Sequence, residues 1–184
     1  LGYYHYRGYL WTCIGVVEIV RYLVCHQFRA TVQNMRRVSV RGIALLEGRL
    51  LCVKLKPYNE MAASGGDWRC LPGGTVDEGE ALEESLMREM QEETGVTPQI
   101  GRLLYVHQFL FKENDQLEFF FHITNPTDYL EIDLENTSHG AEEIESIDFV
   151  DPKTTVILPK FLSQEALENH IKEGASVKIF SFVK

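Results

Sequence analysis

Three glutamates, Glu89, Glu92 and Glu93, are spaced so that their carboxylates can act together. They lie at i, i+3 and i+4 of residues 81–94, a segment without Gly or Pro that is rich in Leu, Met and Glu. This segment is predicted to be a helix that ends at Gly95. Like charges at these spacings cost about 0.2–0.5 kcal/mol per pair, and anions in the last turn also oppose the helix dipole. The pattern therefore indicates a compensating cation, and an all-oxygen cluster favours Mg²⁺, Mn²⁺ or Ca²⁺.

The residues around these glutamates match a known family pattern. The stretch from Gly74 to Val96 reads GTVDEGEALEESLMREMQEETGV. At every position it matches the Nudix box, Gly-x5-Glu-x7-Arg-Glu-(apolar)-x-Glu-Glu-x-Gly-(apolar). A chance match in a chain of this length has odds on the order of one in ten million. From about Met35 to its C-terminus the chain therefore resembles the Nudix hydrolase family, and the resemblance implies an α/β fold, a Nudix-type α/β/α sandwich with a mixed β-sheet.

The resemblance also implies roles for the charged residues of the box. In the family, the glutamates that match Glu89, Glu92 and Glu93 bind divalent metal ions, and one of them can assist the nucleophilic water. The sequence leaves open whether Glu89 is a ligand or the base. Arg88 is expected to hold a catalytic glutamate or Glu80 in place with its guanidinium group. The alternatives are an exposed i,i+4 ion pair for Arg88 and a favourable acid at the helix N-terminus for Glu80.

The glycines of the box are predicted to shape the backbone rather than to take part in chemistry. Gly73 and Gly74 follow a proline in a bend before the helix, where a glycine permits conformations that a Cβ atom would forbid. Gly95 is the predicted helix stop. Gly73 and Gly74 thus form the structural loop of the candidate site, and Gly95 ends the helix that carries its glutamates.

Further candidate residues lie outside the box, and each has a structural alternative. Many family members carry another glutamate that contacts metal or water in the region of Glu142 and Glu143; a solvated acidic loop is the alternative. The candidate substrate contacts are Trp68, Phe109 and Phe111, which could stack on a base, and Lys54, Lys56 and Arg69, which could bind phosphate. Core packing is the alternative for the aromatic residues, and surface solvation is the alternative for the cations. His107 and His122 are expected to be structural, hydrogen-bonded histidines.

The leading functional hypothesis is Mg²⁺-dependent hydrolysis, with Mn²⁺ as a possible substitute, of a phosphoanhydride bond. A bound metal can polarise phosphorus and lower the pKa of a bound water. The substrate would be a nucleoside diphosphate linked to another moiety. No proline stands near Phe111, where many ADP-ribose hydrolases carry one, and the signatures of dinucleoside polyphosphate hydrolases and NADH pyrophosphatases are also missing. A MutT-like nucleoside triphosphate hydrolase is left by elimination. The alternatives are an ADP-ribose or nucleotide-sugar pyrophosphatase and a non-catalytic, Nudix-like nucleotide sensor.

Composition and cysteine spacing indicate which kinds of partner and which cellular compartment to expect. The 184 residues are 45% hydrophobic and 24% charged, with a net charge of −9. This balance is typical of a globular domain, and it argues against a general nucleic-acid scaffold, which would need basic patches. The four cysteines form no CxxC pair, so we expect thiols in a reducing, cytoplasmic setting rather than a zinc site or disulfides. The expected partner is a nucleotide-type small molecule, and the family resemblance adds a possible homodimer.

Hydrophobic patterning predicts the elements that position the box helix. Residues 37–46 and 50–56 are predicted to be strands joined by a hairpin turn. Further strands are predicted at 68–71, 101–111, 117–124, 144–150 and 176–183, with loops at 57–67, 112–116 and 126–140. A second helix is predicted at 160–172, with Gly174 as its stop.

Residues 1–34 differ from the remainder and are treated as an N-terminal extension of uncertain status, followed by a Nudix domain at 35–184. The extension is aromatic-rich, and its apolar part, residues 10–24, is interrupted by Glu18 and Arg21. That part is too short to span a bilayer, and no small-residue cleavage site follows it. We expect an upstream extension or a mis-assigned start. An amphipathic interfacial or dimerising helix and an additional core element are the alternatives.

Overall fold

The described strands form two β-sheets, each with parallel and antiparallel pairs. The computed structural model describes residues 36–57, 66–172 and 175–183, so the predictions for residues 1–34 lie outside these ranges. The first sheet has the order β1-β6-β5-β9, and the second has the order β2-β3-β4-β8 with β7 also paired to β3. The strands are β1 (Arg37–Ile43), β2 (Leu45–Leu46), β3 (Arg49–Leu55), β4 (Trp68–Cys70), β5 (Ile100–Phe111), β6 (Asn114–Ile123), β7 (Ile144–Val150), β8 (Val156–Leu158) and β9 (Lys178–Ser181).

The helices accompany these sheets. They are α1 (Leu82–Thr94), α2 (Gly140–Glu143), α3 (Phe161–Gln164) and α4 (Leu167–Ile171), with 3-10 turns at Pro126–Tyr129 and Leu134–Asn136. Strand β1 is parallel to β6, while β5 and β6 are antiparallel. The predicted α/β fold with mixed sheets is therefore confirmed. No helix in the described part of the chain is long and apolar enough to cross a membrane.

The strand predicted at residues 37–46 is divided at Ala44 between the two sheets. Its first seven residues form β1 and pair with β6, whereas only Leu45 and Leu46 form the predicted hairpin with β3. Ala44 is fully buried, and its carbonyl accepts a hydrogen bond from the Leu51 N–H at 3.0 Å. The predicted strand therefore crosses from one sheet to the other at a fully buried residue.

The second predicted helix and the predicted loop at 126–140 also differ in detail. Residues 160–172 form the two short helices α3 and α4, because Glu165 adopts an extended conformation between them. This break lets both helices bury apolar side chains in the same core. The loop contains two 3-10 turns and leads into α2, and strand β8, which has only three residues, was not predicted. The β5–β6 turn is shorter than predicted, with positive φ at Lys112 and Glu113.

Helix α1 packs on the first sheet through the predicted stripe. Leu86 and Met90 are fully buried in a core cluster with Val40 of β1, and Leu82 packs against the same cluster. A Cβ atom at Gly42 would lie within 3.0 Å of the Met90 sulfur, so the helix approaches β1 closely at a glycine. This packing fixes the side of α1 that carries the box glutamates.

Candidate active site

The C-terminal half of α1 lies against the loop that precedes it, and the two form a cleft of about 320 Å³, called here the carboxylate cleft. The helix ends at Gly95, which has φ 73° and donates its N–H to the Gln91 carbonyl at 2.8 Å. Residues from the loop, α1, α2 and both sheets line the cleft: Arg37, Arg41, Val53, Leu55, Cys70, Gly73, Gly74, Thr75, Arg88, Glu89, Glu92, Glu93, His139 and Glu143. The structure therefore brings all three box glutamates to one site.

Glu93 is the deepest carboxylate of this cleft, with 9% of its surface exposed. Its Oε2 accepts a hydrogen bond from the backbone N–H of Gly73 at 2.7 Å. Burial raises the pKa of Glu93 to about 8, and the negative charges of Glu89 and Glu143 add to this effect, while the Gly73 N–H and Arg41 oppose it. A cation in the cleft would stabilise the ionised form of this carboxylate.

Arg88 connects the other acidic residues of the box. Its Nη1 lies 2.8 Å from Glu89 Oε1 and 3.2 Å from Glu92 Oε2. Its Nε and Nη2 donate to the two oxygens of Glu80 at 3.0 and 2.9 Å, and Nη2 also donates to the Thr75 carbonyl. These hydrogen bonds lower the pKa of Glu80 to about 2 and raise the pKa of Arg88. Arg88 thus contacts three of the box carboxylates at once.

Two consecutive glycines permit this arrangement. Gly73 has φ 118°, and a Cβ atom there would lie within 3.0 Å of the Val40 carbonyl oxygen. At Gly74, a Cβ atom would lie within 3.0 Å of all three carboxyl atoms of Glu89. Larger residues at either position would therefore displace the backbone or the Glu89 carboxylate.

Replacement of Gly74 with Ala is expected to lower any turnover that depends on the Glu89 position by about 10- to 100-fold, as is typical when a residue that orients a functional side chain is changed. The added methyl group would push the Glu89 carboxylate away from Arg88, while the flexible end of that side chain can move without unfolding the protein. Steady-state kinetics and thermal melting check this together. Full turnover in the variant would contradict a role for the Glu89 position.

The start of helix α2, with the residue that precedes it, contributes residues that the sequence did not single out. His139 Nδ1 lies 3.2 Å from Glu92 Oε2. A Cβ atom at Gly140 would lie within 3.0 Å of the Glu93 carbonyl oxygen, so a glycine allows α2 to approach α1. Of the two acidic candidates, Glu143 lines the carboxylate cleft and Glu142 does not. No local sequence signal points to His139 or Gly140, because their contacts depend on the approach of two distant segments.

Several predicted substrate contacts lie elsewhere. Trp68 packs against the small core cluster around Val53, and Arg69 donates to the Ser146 hydroxyl at 2.7 Å. Neither side chain lines the carboxylate cleft. Lys54 forms ion pairs at 3.3 and 3.1 Å with two acidic side chains, and Lys56 donates to a backbone carbonyl of α2. Trp68 therefore packs as its structural alternative predicts, whereas the three cations bind protein partners instead of being only solvated at the surface.

Phe109 and Phe111 line a second cleft of about 370 Å³, called here the aromatic cleft. The ring of His107 stacks on Phe109 with centroids 4.5 Å apart, and its Nδ1 lies 3.1 Å from Glu118 Oε2. Burial alone would raise the pKa of Glu118, but the bond to His107 and the charge of Arg41 outweigh it, so the pKa is lowered. The aromatic cleft adjoins the carboxylate cleft, since Arg41 and Cys70 line both.

The donor set of the carboxylate cleft fits a hard divalent cation, although the ligands are not yet gathered around one point. Within 36–57, 66–172 and 175–183, no three acidic, His or Cys side chains converge closely enough to hold a metal ion as they stand. Glu89, Glu92 and Glu93 nonetheless supply only oxygen donors to one cleft, which suits Mg²⁺ or Mn²⁺. Arg88 bonds to one oxygen of Glu89 and one oxygen of Glu92, which leaves the second oxygen of each carboxylate available to a bound ion.

Comparisons with known proteins find similar sequences and a similar fold. The family model described as the NUDIX domain matches residues 35–168. The ADP-ribose pyrophosphatase of Methanocaldococcus jannaschii is 39% identical over 72 residues, which make up 38% of each chain. A MutT-like protein of Streptomyces ambofaciens is 35% identical over 80 residues, 43% of this chain and 47% of that protein, so the chain spans less than half the length of each curated relative. The MutT protein structure from Methanosarcina mazei Go1 covers 78% of this chain and 98% of its own, with 22% identity and a TM-score of 0.58, which shows a common fold.

Proposed function

Since the family model covers most of the chain, the protein belongs to the NUDIX family, and we propose that it hydrolyses a phosphoanhydride bond in a nucleoside diphosphate linked to another moiety. The observation that carries this proposal is the gathering of Glu89, Glu92 and Glu93 in one cleft beside a second, aromatic cleft. The carboxylates of the first cleft would hold a metal ion that binds the phosphate chain. The second cleft provides an apolar surface for the remainder of the substrate.

Glu92 and Glu93 would hold a divalent cation, and Glu89 and Glu143 line the same cleft. Mg²⁺, or Mn²⁺ in its place, supplies neutralisation of phosphate charge and a bound water of lowered pKa. The side chains do the positioning: the Gly73 N–H fixes Glu93, and Arg88 fixes Glu89. Glu89 faces the cleft and can act either as a ligand or as the group that accepts a proton from the attacking water.

The aromatic cleft is suited to the non-phosphate part of the substrate. Its volume of about 370 Å³ lies within the range of small-molecule sites. Phe109 and Phe111 offer ring faces, and base–aromatic stacking contributes about 1–3 kcal/mol per base in other proteins. Because the cleft adjoins the carboxylates, a nucleotide can reach both. This supports a substrate that contains a nucleoside rather than inorganic pyrophosphate alone.

The experiment that tests this function measures phosphate-containing products with and without Mg²⁺ across a substrate panel. The panel holds canonical and oxidised nucleoside triphosphates, ADP-ribose, nucleotide sugars, NADH and dinucleoside polyphosphates. We expect Mg²⁺-dependent cleavage of one class of substrate. Parallel assays with Ca²⁺ in place of Mg²⁺ measure the metal preference. Binding of a nucleotide without any cleavage would instead support a sensor, and cleavage of ADP-ribose would support the alternative suggested by the Methanocaldococcus relative.

The cysteines support the proposal that the protein works in the reducing cytoplasm. Cys52 and Cys70 are buried and free, while the other two cysteines lie outside the described residues. Burial raises the pKa of both thiols, that of Cys70 to about 12, so neither is activated for nucleophilic chemistry.

A further inference from the structure

We propose that Arg41 is a positioning residue of the reaction, which connects the aromatic cleft to the Glu93 carboxylate through the Gly73 backbone. The inference deepens the proposed function and rests on it. Arg41 belongs to β1, outside the box, and lines both clefts. Only 13% of its side chain is exposed. Burial of a guanidinium group is unfavourable unless its donors are satisfied, so its partners indicate what it holds in place.

On one side, Arg41 holds the loop that fixes Glu93. Its Nη1 donates to the Gly73 carbonyl and lies 3.4 Å from the Leu71 carbonyl. The N–H of the same Gly73 donates to Glu93 Oε2 at 2.7 Å. Arg41 and Glu93 therefore bind the two polar backbone groups of one glycine, whose φ of 118° few other residues adopt. A shift of the guanidinium group would rotate the N–H that orients Glu93.

On the other side, Arg41 is anchored in the wall of the aromatic cleft. Its Nε lies 3.5 Å from Glu118 Oε1, and the second oxygen of Glu118 lies 3.1 Å from His107 Nδ1. Glu118 has 12% of its side chain exposed, and His107 stacks on Phe109. From Phe109, contacts therefore run through His107, Glu118 and Arg41 to the Gly73 backbone that binds Glu93.

The planar fork of arginine is required for this connection. One planar guanidinium can donate within its own plane to backbone carbonyls with one edge and to a carboxylate with another. A lysine keeps the charge but carries a single ammonium group, which cannot reach both sides. The Arg41→Lys variant therefore separates positioning from charge.

The test compares Arg41→Lys with Arg102→Lys in the full chain. Arg102 is a matched control, since it also clamps backbone carbonyls, among them that of Ala175 at 2.6 Å, and lines neither cleft. In Arg41→Lys we expect Mn²⁺ affinity and kcat to fall by about 10- to 100-fold, with KM changed far less. We also expect faster hydrogen exchange of the Gly73 amide by NMR. Arg102→Lys is expected to leave all of these at the wild-type values.

The outcomes separate this inference from the proposed function. If the wild type cleaves nothing in the panel, the proposed function fails, while Mn²⁺ affinity and Gly73 exchange still decide the role of Arg41. Unchanged Gly73 exchange in Arg41→Lys overturns the inference whatever the activity. A further check adds Glu118→Gln: the two substitutions should be non-additive in kcat, and simple multiplication of their effects would refute the connection across the clefts.

Discussion

Replacing Glu93 with Gln is expected to lower kcat by about 10³-fold or more while the fold remains intact. The amide oxygen of Gln can still accept the Gly73 N–H, so the loop keeps its position. The negative charge is lost, however, and with it the buried oxygen ligand proposed for the metal ion. The removal of one preorganised electrostatic group from an active site typically costs on the order of 10²–10³ in kcat, and a ligand contributes more than a single hydrogen bond. Steady-state kinetics with Mg²⁺ and circular-dichroism melting measure both parts.

The stability of this variant relative to the wild type should depend on pH in a defined direction. Burial raises the pKa of Glu93 from 4.5 to about 8 in the folded protein. Between these values the folded state binds more protons than the unfolded chain, so wild-type stability falls as the pH rises through this window. The Gln variant lacks this loss. In the presence of a chelator, the melting temperature of the variant minus that of the wild type should therefore increase from about pH 5 to about pH 8. Above about pH 8 this difference should stay constant.

Glu83→Gln is the matched control for this experiment, because Glu83 is an exposed glutamate in the first turn of the same helix. It should keep wild-type turnover. Retention of most activity by Glu93→Gln would instead show that the buried carboxylate has no chemical role, and the site assignment would be lost. A drop in activity accompanied by unfolding would identify Glu93 as a structural residue.

The parts of the molecule that the sequence predicted well are those specified by local signals. Helix α1 has a 3.6-residue apolar period through Leu86 and Met90, together with a glycine stop, and both features act within a few residues. Its orientation on the sheet follows from the same stripe. Because the stripe is buried, the side of α1 that carries Glu89, Glu92 and Glu93 is turned toward the loop, so the candidate site could be placed before the fold was known.

Contacts between distant segments could not be predicted in this way. Arg41 is one of three polar residues in the strand RVSVRGI, and the approach of the loop at residues 71–73 and of Glu118 gives it partners. Likewise, His139 reaches Glu92 only because Gly140 lets α2 approach α1. The division of the first strand at Ala44 has the same origin, since an apolar run is compatible with one buried strand or with two strands in different sheets. Pairing, rather than local propensity, decides between them.

Replacement of Arg88 with Lys is expected to lower kcat by about 10²-fold, because the charge is kept and the geometry is lost. Arg88 donates to both oxygens of Glu80 and at the same time to Glu89 and Glu92, which a single ammonium group cannot do. The pKa of Glu80, about 2 in the wild type, should rise toward its ordinary value, and NMR titration of its carboxyl carbon measures this independently of turnover.

Glu80→Gln separates the two sides of the Arg88 fork. This variant keeps one acceptor for Arg88 and leaves the contacts to Glu89 and Glu92 in place, so its loss of kcat should be smaller than that of Arg88→Lys. If Glu80 acts only by holding Arg88, combining the two substitutions should cost little more than Arg88→Lys alone, because residues that act as a unit are not additive.

Wild-type kcat in Arg88→Lys would show that the guanidinium is merely an ion pair on the helix surface. An unchanged Glu80 pKa together with a large loss of kcat would instead place the whole effect of Arg88 on Glu89 and Glu92, and Glu80 would then leave the catalytic assignment.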